Sequence, residues 1–303
     1  MNTTRRSFLQ AVSLGGLGIL AGSEAWADSA PPSHWRLTLS LWSFNRLDFE
    51  KAVAWAAGLD IKFCEAFTWQ KFSEKGPEKI DAWQSKDLRQ RIKGVLDEHG
   101  VKMVQSYIGG FAKDNDGNRP IFEWAKELGV ETLVGEPPFE TLDVLESLCD
   151  EYSINLALHN HRKGSSIYWS PQIVLEQIRN RSKRLGACPD IGHWARTGLD
   201  LAKGLKMLQG RLFCLHVKDI TEPGNPASGE LPWGEGKTDI ASVFREIARQ
   251  KTAMNFGIEY ENFGPDTRPD IKKSIAYYND VVLKTITKDF EDAVPGSLTP
   301  KKP

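Results

Sequence analysis

The stretch RLGACPDIGH, residues 184–193, joins an apolar run to polar side chains. Residues 185–188 are small or apolar, as in a strand that is buried on both faces. Pro189 follows, and then come a carboxylate at Asp190 and an imidazole at His193. Such groups are costly to bury without partners, so their position directly after a buried strand indicates a functional site.

Seven other stretches of the chain have the same form. Together the eight runs are RLTLSLWSF (36–44), GLDIKFCEAF (58–67), VKMVQSYIG (101–109), VETLVGEPP (130–138), INLALHNH (154–161), RLGACPDIGH (184–193), RLFCLHVKD (211–219) and MNFGIEYEN (254–262). Helix-like segments separate them, with stop signals at Gly100 and Gly129 and start signals at Ser170 and Asp239. Eight strand–helix units predict a single (β/α)8 TIM barrel. The competing layout is an open doubly wound sheet, which the lack of a Gly-rich dinucleotide fingerprint disfavours.

The first 27 residues have the pattern of an export signal. Arg5 and Arg6 precede the apolar run AVSLGGLGILAG, and AWA at 25–27 offers a small-residue cleavage site. We therefore expect a twin-arginine signal over residues 1–27, with an ordinary secretory signal as the alternative. This signal predicts export by the twin-arginine translocase and a periplasmic or secreted protein. The barrel is then expected over residues 28–287 and a flexible tail over 288–303.

Composition excludes some partners. The apolar run of the signal is too short and too rich in glycine for stable membrane insertion. The 303-residue chain has a formal net charge of −1, so no basic excess indicates nucleic-acid binding. None of the four cysteines belongs to a CxxC pair, which favours buried free thiols over a disulfide framework or a thiolate metal site. Composition does not determine the oligomeric state.

The ends of the predicted strands carry most of the chemistry-bearing side chains. Barrel enzymes build their active sites at the face where the carboxyl ends of the strands meet. The strand ends carry Trp42 and Asn45; Glu65; Gln105 and Tyr107; Glu136; His159 and His161; Asp190 and His193; His216, Lys218 and Asp219; and Glu259 and Glu261. Carboxylates and imidazoles that converge in this way are satisfied by a divalent cation. Asp, Glu and His without Cys suit Mn²⁺, Zn²⁺, Co²⁺ or Mg²⁺.

Four motifs between residues 36 and 283 carry a family resemblance. They are PDIGHW after the sixth run, LHVKD in the seventh, GEGKTD at 234–239 and IEYE in the eighth. The chain resembles the xylose isomerase-like TIM barrels, which include sugar phosphate isomerases and epimerases, inosose dehydratases and apurinic endonucleases. This resemblance implies that Asp190, His216 and Glu259 bind a metal. It implies that His193 contacts either the substrate or a metal ligand, although a loop cap beside Asp190 is an alternative.

The fifth run departs from the family pattern. Sugar isomerases and epimerases carry Glu there, often within ENH, whereas this chain has HNH with His159 at that position. We assign the missing carboxylate to Glu136 at the end of the fourth run, with a helix-dipole partner as the alternative role. The predicted metal ligands are therefore Glu136, Asp190, His216 and Glu259. His159 is then a fifth ligand or an acid/base group.

The resemblance implies a metal-dependent sugar isomerase or epimerase. Such an enzyme abstracts a proton next to the carbonyl of a keto-sugar and passes through a metal-stabilised enediolate, and Mn²⁺ is the ion expected here. Glu259 or His159 is expected to take the proton, assisted by Lys218 and His193. Substrate contacts are expected from His161, His193, Trp42, Tyr107 and Trp233, although each aromatic residue is equally compatible with core packing.

Three alternatives remain open on sequence. Inosose dehydratases resemble this chain in carrying His at the fifth strand, so a lyase, a dehydratase or a 3-keto-glycoside-cleaving enzyme is the first alternative. An abasic-site endonuclease needs a basic, phosphate-binding surface, which the near-neutral chain disfavours. A non-catalytic sugar-binding barrel is the third, and the intact set of acid and base residues disfavours it.

Overall fold

Eight parallel strands form the centre of the molecule. The structure is a computed structural model, and it describes residues 35–286 except 82, 84 and 263. The barrel strands are β1 (Trp35–Ser40), β2 (Phe63–Phe67), β3 (Lys102–Tyr107), β4 (Thr132–Gly135), β5 (Asn155–His159), β6 (Leu185–Cys188), β7 (Cys214–Val217) and β10 (Met254–Ile258). Seven of the eight predicted runs contain one of them, and the first run covers all of β1 except Trp35. A short antiparallel pair, β8 (Asp219–Ile220) with β9 (Glu230–Leu231), follows β7.

The strands pair in the order β6-β5-β4-β3-β2-β1-β10-β7. Isolated bridges join β6 to β7 across the seam, at Ala187 with Leu212 and at Asp190 with His216. The result is a nearly closed barrel, which confirms the predicted (β/α)8 TIM barrel. Because all the strands are parallel, their carboxyl ends meet at one face.

Helices surround the barrel. They are α1 (Phe49–Gly58), α2 (Lys86–His99), α3 (Asn115–Leu128), α4 (Leu142–Tyr152), α5 (Pro171–Ile178), α6 (Ile191–Thr197), α7 (Leu201–Met207), α8 (Ile240–Gln250) and α9 (Arg268–Tyr277), and a π-helix continues over Tyr278–Ile286. The predicted ends are confirmed, since Gly100 and Gly129 have left-handed φ angles of 64° and 75°. Ser170 and Asp239 cap α5 and α8 by accepting a backbone N–H.

Other expectations concern the chain ends and the cysteines. The predicted signal (1–27) and tail (288–303) lie outside the described residues. Every helix within the described part is too short or too polar to be a membrane span. Cys64, Cys149, Cys188 and Cys214 are all free and buried, which confirms the free-thiol prediction.

Gly186 in β6 allows the seam to close. A Cβ at this position would lie 2.3 Å from the carbonyl oxygen of Arg211 and 2.5 Å from the Phe213 ring. Ala187 N donates to that same carbonyl at 2.8 Å, so the chain at Arg211 cannot move away from β6 without breaking this hydrogen bond. We expect Gly186→Ala to lower the free energy of unfolding by about 3 kcal/mol or more, because overpacking here moves backbone.

Urea unfolding followed by circular dichroism measures this effect. Gly94→Ala is the matched control, since nothing lies within 4 Å of a Cβ at that exposed position in α2. There we expect a gain of up to about 1 kcal/mol from helix propensity. A Gly186→Ala variant as stable as the unmodified protein would show that the seam tolerates separation.

Candidate active site

A cavity of about 220 Å³ opens at the carboxyl ends of the strands. It is lined by Ser40, Trp42, Glu65, Phe67, Trp69, Tyr107, His159, His161, Lys218, Glu259 and Glu261. Six of the predicted site residues are among them: Trp42, Tyr107, His159, His161, Lys218 and Glu259. The barrel topology thus brings together side chains that lie more than 200 residues apart in sequence.

Four buried side chains, of which His159 and Glu259 line the cavity, form a candidate metal centre. His159, Asp190, His216 and Glu259 each offer one ligand atom, and these atoms lie within 4.8 Å of one another. His216 Nδ1 is 3.0 Å from Glu259 Oε2 and 3.1 Å from His159 Nε2. His159 Nε2 is 3.8 Å from Asp190 Oδ2. Two ligand atoms on opposite sides of an ion, each bonded at about 2.1 Å, lie about 4.2 Å apart. The four side chains would therefore need to move only slightly apart to admit an ion.

The hydrogen bonding at these atoms fits a cation. Asp190 Oδ2 is buried, and within the described part of the chain it makes no well-aligned hydrogen bond. Two imidazoles and two carboxylates also form a donor set that divalent transition metals accept. The buried cluster is therefore able to hold a divalent metal ion.

Lys218 places a fixed positive charge beside this cluster. Its Nζ lies 2.9 Å from Asp190 Oδ2, 2.9 Å from Glu259 Oε2 and 3.0 Å from Glu261 Oε2. Burial disfavours the ammonium, but the three carboxylates hold the pKa of Lys218 well above its ordinary value. Burial also opposes ionisation of Glu259, but His216 and Lys218 lower its pKa, so it is a carboxylate at neutral pH.

His216 lies between two carboxylates. Its Nε2 is 2.8 Å from Glu65 Oε1, on the side away from the Glu259 contact. Although burial disfavours the charged ring, Glu259 and Glu65 hold the pKa of His216 well above its usual value. A metal ligand must present an unprotonated nitrogen, so binding of an ion here would release a proton from this ring.

The structure places Glu136 apart from the other three predicted ligands. Its Oε1 contacts His161 Nδ1 and lies 3.0 Å from His159 Nδ1, on the far side of the His159 ring. Burial would raise the pKa of Glu136, but both imidazoles lower it. A carboxylate on Nδ1 orients the ring and leaves Nε2 to face Asp190 and His216. Glu136 thus lies outside the four-residue cluster, whose fourth member is His159, and forms with His159 and His161 a second group whose ligand atoms lie within 4.8 Å of one another. The assignment of Glu136 as a metal ligand stays a prediction.

We expect Glu136→Gln to lower Mn²⁺ affinity by about 10- to 100-fold, the effect of losing a partner that orients a ligand. Isothermal titration calorimetry measures the affinity. Glu140→Gln, an exposed residue in the same loop, is the matched control and should leave it unchanged. Asp190→Asn should lower the Mn²⁺ affinity more than either of these substitutions, since it removes a candidate ligand. Equal losses in Glu136→Gln and Asp190→Asn would instead make Glu136 a direct ligand.

Two predicted substrate contacts lie outside the cavity lining. Trp233 is buried, its Nε1 donates to the Val217 carbonyl at 3.0 Å, and its ring packs 5.8 Å from Phe244. Trp233 therefore packs between β7 and α8, as the core-packing alternative predicts. His193 lies behind the cluster, with Nε2 3.7 Å from Asp190 Oδ2. Burial lowers its pKa to about 3, so this ring is neutral.

Two carboxylates received no role from the sequence. Glu65 accepts from Gln105 Nε2 at 3.0 Å, and Glu261 accepts from Trp42 Nε1 at 2.8 Å. Both line the cavity. The available signal was their position at strand ends, and Glu261 also stands two residues after Glu259, a spacing that places both on one face of an extended segment.

The LHVKD and GEGKTD motifs meet at one carboxylate. Asp219 accepts backbone N–H groups from Gly234, Gly236 and Thr238, each at 2.9 Å. A Cβ at Gly236 would lie 2.2 Å from Asp219 Oδ1, so only glycine permits this approach. These contacts hold the chain that follows β9 against the end of β7.

A protein-family model described as xylose isomerase-like TIM barrel matches residues 53–281. The chain belongs to this family. The match spans most of the barrel and confirms the resemblance carried by the strand-end motifs. A search of curated proteins found no significant match.

Solved structures show the same fold. An uncharacterised protein from Parabacteroides distasonis ATCC 8503 is 26% identical, with a TM-score of 0.65 over 80% of this chain and 98% of that one. A D-allulose 3-epimerase from Methylomonas sp., in complex with D-allulose, is 16% identical, with a TM-score of 0.63 over 81% and 96%. A probable 3-DHS dehydratase from Bacillus anthracis is 13% identical, with a TM-score of 0.61 over 81% and 99%.

Proposed function

We propose that this protein is a divalent-metal-dependent enzyme of the sugar isomerase and epimerase type, which abstracts a proton next to the carbonyl of a keto-sugar. The observation that carries the proposal is the buried set of four candidate ligands, two of which line the cavity. The cavity volume of 220 Å³ is below the roughly 300 Å³ of the smallest drug-sized pockets, so it suits a single sugar ring. An epimerase and a dehydratase share the fold, which supports this class of chemistry.

The residues divide into holding and proton-transferring groups. His159, Asp190, His216 and Glu259 would hold the ion. A bound divalent cation supplies polarisation of the substrate carbonyl, which makes the neighbouring carbon acid stronger. Glu259 is the proton acceptor, because its carboxylate is ionised and faces the cavity. Lys218 keeps that carboxylate in place and offers a positive charge to a developing oxyanion.

Elimination is a second candidate, and one asymmetry of the site favours it. The carboxylates Glu65, Glu259 and Glu261 come from β2 and β10, which flank β1, whereas His159 and His161 follow β5 across the barrel. A reversible epimerase needs a matched base on each face of the carbon. A carboxylate on one side and an imidazole on the other suit proton removal coupled to protonation of a leaving hydroxyl or alkoxide. A lyase or dehydratase acting on a keto-sugar or a 3-keto-glycoside would use the site in this way.

Deuterium exchange tests the proposal and separates the two candidates. The Mn²⁺-loaded protein is incubated in D₂O with ketoses, inososes and 3-keto-glycosides, and the products are followed by NMR. An epimerase gives solvent deuterium at the carbon next to the carbonyl in both substrate and product. A lyase gives an unsaturated product or a released fragment. No deuterium incorporation and no turnover across the panel would remove proton abstraction as the function.

Two finer points belong to the same proposal. Mn²⁺ is the proposed ion, because the site mixes imidazole and carboxylate ligands without a thiolate. Export through the twin-arginine pathway is proposed from residues 1–27, and folded export suits a protein that takes up its metal before it leaves the cytoplasm. Metal analysis of protein purified from the exported fraction tests both points.

A further inference from the structure

An aromatic wall of Trp42, Phe67 and Trp69 bounds one side of the cavity. The ring centroids of Trp42 and Phe67 are 4.9 Å apart, those of Trp42 and Trp69 are 5.8 Å apart, and those of Phe67 and Trp69 are 5.2 Å apart. Trp69 also meets Tyr107 edge-on at 5.7 Å. The rings support one another, so the wall has a defined shape.

The same wall also bounds a second cleft of about 530 Å³. Besides the wall, this outer cleft is lined by Asn45, Arg46, Leu47, Asp48, Gln70, Lys71 and Glu74. All three wall residues line both spaces, so the outer cleft adjoins the cavity that contains the metal centre. A ligand long enough to occupy both spaces would therefore lie against these three rings.

The indole of Trp69 is held in place although it is exposed. It is 36% exposed, which is unusual for so large an apolar side chain. A Cβ at Gly109 would lie 2.9 Å from Trp69 Cε3, so the glycine makes room for the ring against the loop after β3. An aromatic face that is fixed yet open to solvent is suited to stacking against the C–H face of a sugar ring.

Gln70 at the wall of the outer cleft indicates a polar ligand. The residue is only 3% exposed, and its Nε2 donates to the Leu47 carbonyl at 3.1 Å. Within the described residues, its Oε1 has no hydrogen-bond donor. An unsatisfied buried acceptor is costly, and a hydroxyl entering from the cleft would satisfy it after a small adjustment.

The charges around the outer cleft are balanced. Two positive side chains, Arg46 and Lys71, face two negative ones, Asp48 and Glu74. Asp48 caps α1, and Glu74 pairs with Lys51, so both carboxylates already have partners within the protein. Such a lining offers donors and acceptors without selecting an anion or a cation, so it suits a neutral polyhydroxyl group.

We propose that the outer cleft is a second sugar subsite and that the substrate is a neutral glycoside of two rings, with the reacting ring at the metal centre and the second ring stacked on Trp69. This inference rests on the proposed function for the reacting ring only. It selects, within that function, a disaccharide-like glycoside over a free monosaccharide. A substrate with a leaving sugar also fits the elimination route better than epimerisation.

Binding of unreactive sugars tests the subsite without requiring turnover. The full-length, Mn²⁺-loaded protein is titrated by calorimetry with D-glucose, cellobiose, maltose and trehalose. We expect at least one disaccharide to bind about tenfold more tightly than glucose, a preference worth about 1.4 kcal/mol. Trp69→Ala should reduce this ratio to within about twofold of one. Phe139→Ala is the matched control, since Phe139 is equally exposed, at 38%, and lines neither space.

Arg46→Ala provides a second variant in case the Trp69 substitution alters folding. Arg46 is exposed and lines the outer cleft, and its loss should lower the ratio about threefold. Equal binding of glucose and all disaccharides, or a ratio unchanged in both variants, overturns the subsite. If deuterium exchange fails while the disaccharide preference persists, the proposed chemistry fails and the subsite stands. If deuterium exchange occurs on monosaccharides and no disaccharide binds more tightly than glucose, the proposed chemistry stands and the subsite fails.

Discussion

Replacement of Glu259 by glutamine is expected to lower the rate of deuterium exchange by about 10²- to 10⁴-fold, the effect of removing a positioned general base. Glutamine has the same shape but cannot accept the proton. Its amide also removes the negative charge that lies 3.0 Å from His216 Nδ1 and 2.9 Å from Lys218 Nζ. We therefore expect weaker Mn²⁺ binding as well, which exchange measured at several metal concentrations separates from loss of the base.

Glu235→Gln is the control for Glu259→Gln. Glu235 carries the same carboxylate but is exposed and pairs with Lys273, at 3.0 Å, so both exchange and metal binding should be unaffected. Full exchange in Glu259→Gln at saturating Mn²⁺ would transfer the role of base to His159, the other group that the sequence suggested. A variant that exchanges normally and also binds metal normally would remove Glu259 from the site altogether.

The barrel was predictable because its signals are local. Strands buried on both faces are continuous apolar runs, and each of the eight runs overlaps a barrel strand. Helix ends depend on short-range requirements of the backbone, so Gly100 and Asp239 were identifiable from one or two residues. The closure at Gly186 was not predictable, because its reason is the approach of Arg211 from another strand.

The candidate site was predictable in position and only partly in detail. Parallel topology places every strand end at one face, so Asp190, His216 and Glu259 were expected to meet. The sequence did not decide between Glu136 and His159 as the fourth member of the cluster, because β4 and β5 are neighbours and both side chains are long enough to reach inward. Only the contact of Glu136 with His159 Nδ1 shows that one orients the other.

The aromatic residues illustrate the same difficulty. Trp233 was expected to contact the substrate, but its indole donates to the Val217 carbonyl between β7 and α8. Trp69, which lines both spaces, was not selected, because it stands beyond the apolar run of β2. Side-chain direction in loops is determined by tertiary packing, which sequence spacing does not report.

Lys218→Met is expected to destabilise the metal-free protein by about 3–5 kcal/mol, the range for breaking a buried ion pair from one side. The ammonium is buried and lies within 3.0 Å of carboxylate oxygens of Asp190, Glu259 and Glu261. Methionine keeps the length of the side chain and removes the charge, which leaves three carboxylates without their shared cation. At roughly 2–4 °C per kcal/mol, the unfolding temperature should fall by about 6–20 °C.

Added Mn²⁺ should reverse much of this loss, because Lys218 shares Asp190 and Glu259 with the candidate metal centre. A cation that binds only the folded state stabilises it in proportion to its affinity, and that affinity rises once the competing ammonium is gone. The rise in unfolding temperature on adding Mn²⁺ should therefore be larger in Lys218→Met than in the unmodified protein. Lys237→Met, at an exposed lysine, should change neither value. Equal rises in all three proteins would mean that the ion and the ammonium do not compete for the same carboxylates.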